Sequence, residues 1–259
     1  MKIDLVTIFP EMFGAALEAS LLGKAQKNGI AQISIHNLRK WTKDKHRIVD
    51  DRPYGGGAGM LLKAEPIWLA LKELKKRAAK SSRVILLTPQ GKIFDQKKAA
   101  ELSRKKHLIF VCGHYEGFDE RITKFVDEEI SIGDFVLTGG ELAALVVIEA
   151  VVRLLPGVVG NKSSLKEDSF AKKFLDWPHY TRPANFRGRE VPDILLSGDH
   201  QKINLWRKKE AIRATIKKRP ELIAKIKLSP IEKKMLKEVI KEENFEEKEQ
   251  DHGNSKFTG

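Results

Sequence analysis

Three short polar loops carry the residues of this chain best suited to hold a small molecule. Thr88-Pro89-Gln90-Gly91 follows the apolar run Arg83 to Leu87, and Gly113 to Gly117 follows Leu108-Ile109-Phe110-Val111-Cys112. The third loop runs from Ser131-Ile132-Gly133-Asp134 through Phe135-Val136-Leu137 to Thr138-Gly139-Gly140-Glu141. Glycine lets a backbone approach a ligand closely and tolerates positive φ. Loops at strand ends are where α/β proteins hold ligands. Main-chain N–H and C=O groups in such loops could hold the edge of an adenine. Neither G-x-G-x-x-G after a first strand nor G-x-x-x-x-G-K-[S/T] occurs, which argues against NAD and against a phosphate-loop NTPase.

Two further residues could handle protons and charge. Asp168 opens Asp168-Ser169-Phe170, ahead of a stretch stiffened by Pro178 and Pro183. It reads either as a general base or as a helix cap. Arg153 is a lone cation in an apolar helix, able to neutralise developing negative charge or to snorkel to the surface. The histidines at 36, 46, 107, 114, 179, 200 and 252 form no H-x-x-x-H or H-E-x-x-H spacing. The single Cys112 excludes an internal disulfide and a thiolate zinc site within one chain.

The elements that must position these groups alternate between strand and helix. Strands are expected at Ile3 to Ile8, Ile30 to His36, Arg83 to Leu87 and Leu108 to Val111. Helices are expected at Met12 to Asn28, Pro66 to Lys80, Asp95 to Ser103 and Gly140 to Leu154, with a helix or turn over Arg121 to Glu128. In the Gly140 helix, Leu142, Val146, Glu149 and Val152 recur at helical spacing. Leu38 to Met60 is a long polar, glycine-rich segment, more in keeping with function than with an idle loop. The pattern predicts a parallel α/β sheet. It divides the chain into a domain at 1–160, a linker at 161–175, a basic helical domain at 176–242 and a disordered tail at 243–259. In the second domain His200 to Lys218 reads as a basic helix, with Ile203, Trp206, Ile212 and Ile216 packing and Arg207, Lys208, Arg213 and Lys217 exposed. Ser229-Pro230-Ile231-Glu232 reads as a helix start.

The charge is uneven. Residues 1–160 hold 25 Lys and Arg against 19 Asp and Glu, residues 161–240 hold 20 against 10, and the last 19 residues hold 3 against 6. A concentrated positive field suits a polyanion, nucleic acid above all. No secretory signal or run of transmembrane length is seen, so a cytoplasmic protein is expected.

In this order and spacing the motifs resemble the bacterial tRNA (guanine-N1)-methyltransferases of the SPOUT class, from Met1 to about Lys241. The resemblance is carried by Ile8-Phe9-Pro10-Glu11-Met12-Phe13, Asp51-Arg52-Pro53-Tyr54-Gly55-Gly56-Gly57-Ala58-Gly59-Met60, Thr88 to Gly91, Cys112 to Arg121 and Ser131 to Glu141. It continues through Arg153-Leu154-Leu155-Pro156-Gly157-Val158, Asp168-Ser169-Phe170, Pro178 to Pro183 and Leu195 to His200. It implies an α/β SPOUT domain with a parallel sheet and a deep trefoil knot, then a small, mostly helical domain. It implies methyl transfer from S-adenosyl-L-methionine to N1 of guanine 37 in tRNAs with guanine at position 36. It also implies a homodimer with active sites at the subunit interface, the anticodon branch of tRNA as partner, and no membrane.

Carried onto this chain, the resemblance places the cofactor among Leu86, Leu87, Thr88, Pro89, Gly113, Tyr115, Glu116, Gly117, Ser131, Ile132, Gly133, Phe135, Leu137, Gly139 and Gly140. Asp168, reaching in from the partner subunit's linker, would take the N1 proton. Arg153 would stabilise charge at O6, and Tyr115 and Glu116 would shape the cofactor and guanine pocket. A magnesium (Mg2+) requirement comes with the family, without a recognisable protein site in this sequence. Two departures stand out: His114 where some relatives have Arg, and Trp177 where a small residue is common. The competing readings are a SPOUT enzyme acting on another RNA site and a non-catalytic RNA-binding protein.

Overall fold

The apolar runs at 3–6, 84–87 and 108–112 become strands that are buried on both faces. The computed structural model describes residues 1–77, 82–160, 168–170, 173–224 and 226–254, with 244–254 as backbone only. The chain divides into two compact units, Met1–Lys162 and Ser163–Gly259. Residues 161–167 and 171–172 of the expected linker, and 255–259 of the expected tail, lie outside the described residues.

The first unit runs β1 (Lys2–Thr7), α1 (Gly14–Glu18), α2 (Ser20–Lys27), β2 (Gln32–Asn37), β3 (Asp50–Asp51), β4 (Leu61–Leu62), α3 (Ala64–Lys76), β5 (Ser82–Ile93), α4 (Gln96–Leu102), β6 (His107–Cys112), β7 (Glu128–Ser131) and α5 (Glu141–Val152). Five strands form one parallel sheet in the order β2-β1-β6-β5-β7, and β3 pairs with β4 separately. Side chains alternate across the sheet as strand geometry requires. Ile85, Leu87, Phe110 and Cys112 join the core under α1, α2, α4 and α5, while Val84, Leu86, Ile109 and Val111 join the core under α3. Leu87 lies opposite Cys112, so the loops beyond β5 and β6 start level with each other.

The structure departs from the sequence pattern at four places in this unit. The helix expected from Met12 to Asn28 is broken, because Ala19 is extended and Ser20 has φ 50°. β5 continues past Leu87, and its pairing with β7 is irregular between Leu87 and Lys92, so Thr88–Gly91 is a bulge within a strand. The helix or turn expected over 121–128 is a 3-10 helix at Glu120–Phe125 followed by β7. β7 is an edge strand of polar sequence, so it carries no apolar run to announce it. On α5, Leu142, Val146 and Glu149 are exposed, and the buried face is Ala143, Ala144, Val147, Ile148 and Val151.

One ionic cluster pins the middle of the sheet. Asp4 is buried on β1 and bonds His36 Nε2 on β2 at 2.7 Å and His107 Nε2 on β6 at 2.6 Å. Burial pushes its carboxyl upward, but hydrogen bonds from the two histidines and the charge of Lys2 outweigh this and hold its pKa at about 2.

The second unit contains a two-residue hairpin, β8 (Asn185–Phe186) with β9 (Arg189–Glu190), then α6 (Asp193–Leu196), α7 (His200–Lys218), α8 (Pro220–Ile223) and α9 (Pro230–Asn254). Its buried core is small: Ile212, Met235 and Val239, backed by Phe174, Ile216 and Leu236. The start of α9 is a capping box, in which Ser229 N–H donates to the Glu232 carboxylate at 2.7 Å and Glu232 N–H donates to Ser229 Oγ at 3.3 Å. Two expectations are corrected here. Arg213 is not exposed but packs among Glu210, Glu242 and Glu243. The tail is helical to Asn254, and at its start Glu242 and Glu243 pair with Lys209, Arg213 and Lys217 on α7.

Candidate cofactor site

The bulge within β5 and the two glycine-bearing loops that follow β6 and β7 meet and line a cavity of about 330 Å³, a size typical of small-molecule sites. Hydrogen bonds between the loops fix its shape. Gly140 N–H donates to Gly113 O at 2.8 Å, and His114 bridges to Gly139. A Cβ on Gly140 would lie 3.0 Å from Cys112 Cα and Gly113 N, so a larger residue would force the loops apart. The middle loop turns sharply, with Tyr115 at φ 61° and Gly117 N–H bonded to His114 O at 3.2 Å. That loop is tied to the segment before α3 by Glu116 N–H to Met60 O at 3.1 Å and Leu62 N–H to Gly117 O at 2.9 Å. In the third loop, Ser131 Oγ donates to Gly133 O at 3.1 Å and accepts from Gly133 N–H at 3.2 Å.

All the residues expected to hold the cofactor line this cavity except Leu86. Leu86 is fully buried on the opposite face of β5, in the core under α3. The two-residue period of a strand puts Leu87 at the cavity and Leu86 away from it. Sequence reasoning did not place Ile130 or Ala143 at the wall, nor Phe118 and Glu120 beyond the middle loop. It also gave no role to Glu141, the buried first residue of α5, or to Thr7 at the end of β1, whose hydroxyl donates to Glu141 Oε1 at 2.6 Å.

The chemistry of the wall is informative. The residues lining the cavity include Glu116 and Glu120 and, among the described residues, no Lys or Arg. Such a wall disfavours a phosphate and suits a cationic ligand with an apolar, hydrogen-bonding body. Cys112, at the end of β6, is fully buried, and burial together with the charge of Glu141 pushes its thiol well above the usual range. It is therefore an inert core residue. Among the described residues no group of three or more His, Cys, Asp or Glu is arranged to hold a metal ion.

The remaining candidates lie elsewhere. Arg153 is half-buried at the C-terminal end of α5, with its N–H bonded to Glu149 O at 3.1 Å, and does not line the cavity. Asp168 is half-buried in the second unit. The long 38–60 segment borders another cleft of about 700 Å³, lined by Arg52, Tyr54, Trp68 and Arg121 among others. Two ion pairs lie in that cleft, Lys63 with Asp51 at 3.5 Å and Arg121 with Asp119 at 2.6 Å. In the second unit, Arg207 sits 5.2 Å over Trp177, whose ring lies 5.5 Å from His179, and Tyr180 is half-exposed 6.5 Å from Trp206. Aromatic rings beside cations are the equipment of base stacking.

A parallel α/β sheet with a glycine-walled cavity at its carboxyl edge, followed by a separate helical region, is the architecture of a SPOUT-class methyltransferase. The particular family follows from comparison: residues 1–225 match the tRNA (Guanine-1)-methyltransferase TrmD family, and the chain belongs to it. A tRNA (guanine-N(1)-)-methyltransferase of Dictyoglomus turgidum is 54% identical over 242 residues, covering 93% of this chain and 98% of that protein. The like-named protein of Dehalococcoides mccartyi is 53% identical over 245 residues, covering 94% and 99%. That of Bacillus cereus is 54% identical over 244 residues, covering 94% and 100%. No helix among the described residues is long and apolar enough to cross a membrane.

Proposed function

We propose that this chain transfers a methyl group from S-adenosylmethionine to N1 of guanine 37 in tRNAs that carry guanine at position 36. One observation carries the reading: in a chain of this family, three main-chain loops wall a cavity whose lining includes Glu116 and Glu120 and, among the described residues, no Lys or Arg. That wall fits a sulfonium ligand better than a phosphate. Leu87 to Pro89, Gly113 to Gly117 and Ser131 to Gly140 hold the cofactor, chiefly through the backbone. The cofactor brings an already activated methyl group. The chain's own task is to align the base and remove a proton.

N1 of neutral guanine carries a proton, so it becomes a good nucleophile only as that proton leaves. Asp168 accepts it, and Arg153 stabilises the negative charge that grows on O6. The target base must leave its stack, which costs least in a loop. The basic stretch 161–240 and its aromatic patch grip the anticodon branch. The active form is a homodimer, and Asp168 of the partner subunit completes each site. The exposed apolar residues Leu142 and Val146 on α5, with Phe135 and Val136 before it, support a surface covered by a second copy. The knotted threading of the three loops belongs to the same reading, and the tRNA substrate places the reaction in the cytoplasm.

The test is methyl transfer from labelled S-adenosylmethionine to two unmodified tRNA transcripts, one with guanine 36 and guanine 37 and one with adenine 36 and guanine 37. Nuclease digestion and mass spectrometry locate the product. N1-methylguanine at position 37, favoured on the first transcript, is the expected result. A methyl on ribose, or on another nucleotide, would point to a different RNA site.

A further inference from the structure

Behind the cavity wall lies a closed circuit of contacts that the reaction just described does not use. Glu141 is 1% exposed at the first position of α5. Its Oε1 accepts from Thr7 Oγ1 at 2.6 Å, and Thr7 Oγ1 accepts from Phe9 N–H at 2.9 Å. The Phe9 ring packs on the His114 ring, with centroids 4.6 Å apart. His114 Nδ1 returns to Glu141, lying 3.7 Å from its Oε2. Neither that nitrogen nor that oxygen has a hydrogen-bond partner among the described residues, and both are buried. Gly139 makes this approach possible: a Cβ there would overlap both Glu141 Oε2 and His114 Nδ1.

A buried carboxylate is costly unless it is paired. The N-terminus of α5 offers Glu141 partial compensation, and the Thr7 hydroxyl satisfies one oxygen. The second oxygen faces the His114 ring nitrogen at 3.7 Å. His114 is the residue just before Tyr115, Glu116 and Gly117, and it lines the cavity itself.

We propose that Glu141 is a positioning residue for the cofactor site, acting through His114: its buried carboxylate anchors the His114 ring and so sets the Gly113–Gly117 wall against the Thr138–Gly140 wall. The inference rests on the functional reading above. It also gives His114 a defined partner, a carboxylate within the same unit, where the sequence offered only a missing permanent charge.

The experiment is a double-mutant cycle read by calorimetric titration of S-adenosylmethionine into the full-length protein without tRNA. Glu141→Gln and His114→Phe each weaken binding by about tenfold, and the double variant is no weaker than either single variant, because both remove the same interaction. His114→Arg, which places a cation opposite Oε2, retains more affinity than His114→Phe. In steady-state assays KM for S-adenosylmethionine rises while KM for tRNA does not. Losses that multiply in the double variant, or Glu141→Gln binding as tightly as the parent, would overturn the inference. Should Glu141→Gln fail to fold, the His114→Arg and His114→Phe pair still decides, since equal affinity in those two would count against it. A parent protein that takes up no S-adenosylmethionine would instead overturn the functional reading beneath it.

Discussion

The two units of this chain are stabilised by different means and are suited to different ligands. In the first, a parallel sheet is buried on both faces, and its carboxyl edge presents backbone groups locked by loop-to-loop hydrogen bonds. In the second, a small apolar cluster of Ile212, Met235 and Val239 is reinforced by ion pairs between α7 and α9, with Arg213 at the centre. A cavity cut from a rigid sheet can discriminate a small molecule by shape. A lightly cored helical unit with a charged surface suits a large polyanion, for which field matters more than fit. Stability follows the same division. Burial dominates in the first unit, whereas exposed ion pairs contribute little each and the second unit leans on a few residues.

The largest effect falls where the two units' tasks meet. Asp168→Asn lowers single-turnover methyl transfer by roughly 10²–10⁴-fold, the span of general-base catalysis, while S-adenosylmethionine affinity is unchanged. A parallel loss of cofactor binding would make Asp168 a structural residue of the pocket. Next comes the small core. Ile212→Ala costs the second unit about 2–5 kcal/mol, enough to unfold it, and differential scanning calorimetry should show one transition lost or lowered while cofactor binding persists. A uniform shift of all transitions would mean that the two units melt as one.

The smallest effect belongs to the first unit's ionic cluster. Asp4 has a folded-state pKa of about 2 against the usual 3.8. A depressed carboxyl stabilises the fold above its unfolded pKa, and that contribution is lost as pH falls through the folded value. The shift corresponds to about 2 kcal/mol. Urea unfolding of the parent and of Asp4→Asn should therefore differ most above about pH 4 and converge towards pH 2. A difference that stays constant over that range would remove the ionic explanation.

What could be read from the sequence was whatever is local. Apolar runs bounded by glycine gave the inner strands, and the Ser229 capping signal gave the start of α9. The loops that wall the cavity were legible because glycine spacing marks them. What is set by distant neighbours was not legible. β7 has no apolar run because it is an edge strand. α5 is apolar nearly all round, so its period could not tell the buried face from the exposed stripe of Leu142 and Val146. The burial of Arg213 depends on pairs formed across some thirty residues. The Thr7–Glu141 bond spans 134 residues, and only the folded sheet brings its ends together. The choice of Leu87 over Leu86 needed only strand alternation, but also the knowledge of which face held the cavity.

The most direct test of this division of labour is the salt dependence of the two affinities, measured on the same protein between 50 and 200 mM salt, a range over which phosphate contacts lose much of their strength. The account predicts that the dissociation constant for tRNA rises steeply, with a log–log slope that falls when Arg207 and Lys208 are replaced by Gln, while that for S-adenosylmethionine stays nearly flat. A tRNA affinity indifferent to salt, or a cofactor affinity as salt-sensitive as that for tRNA, would contradict it.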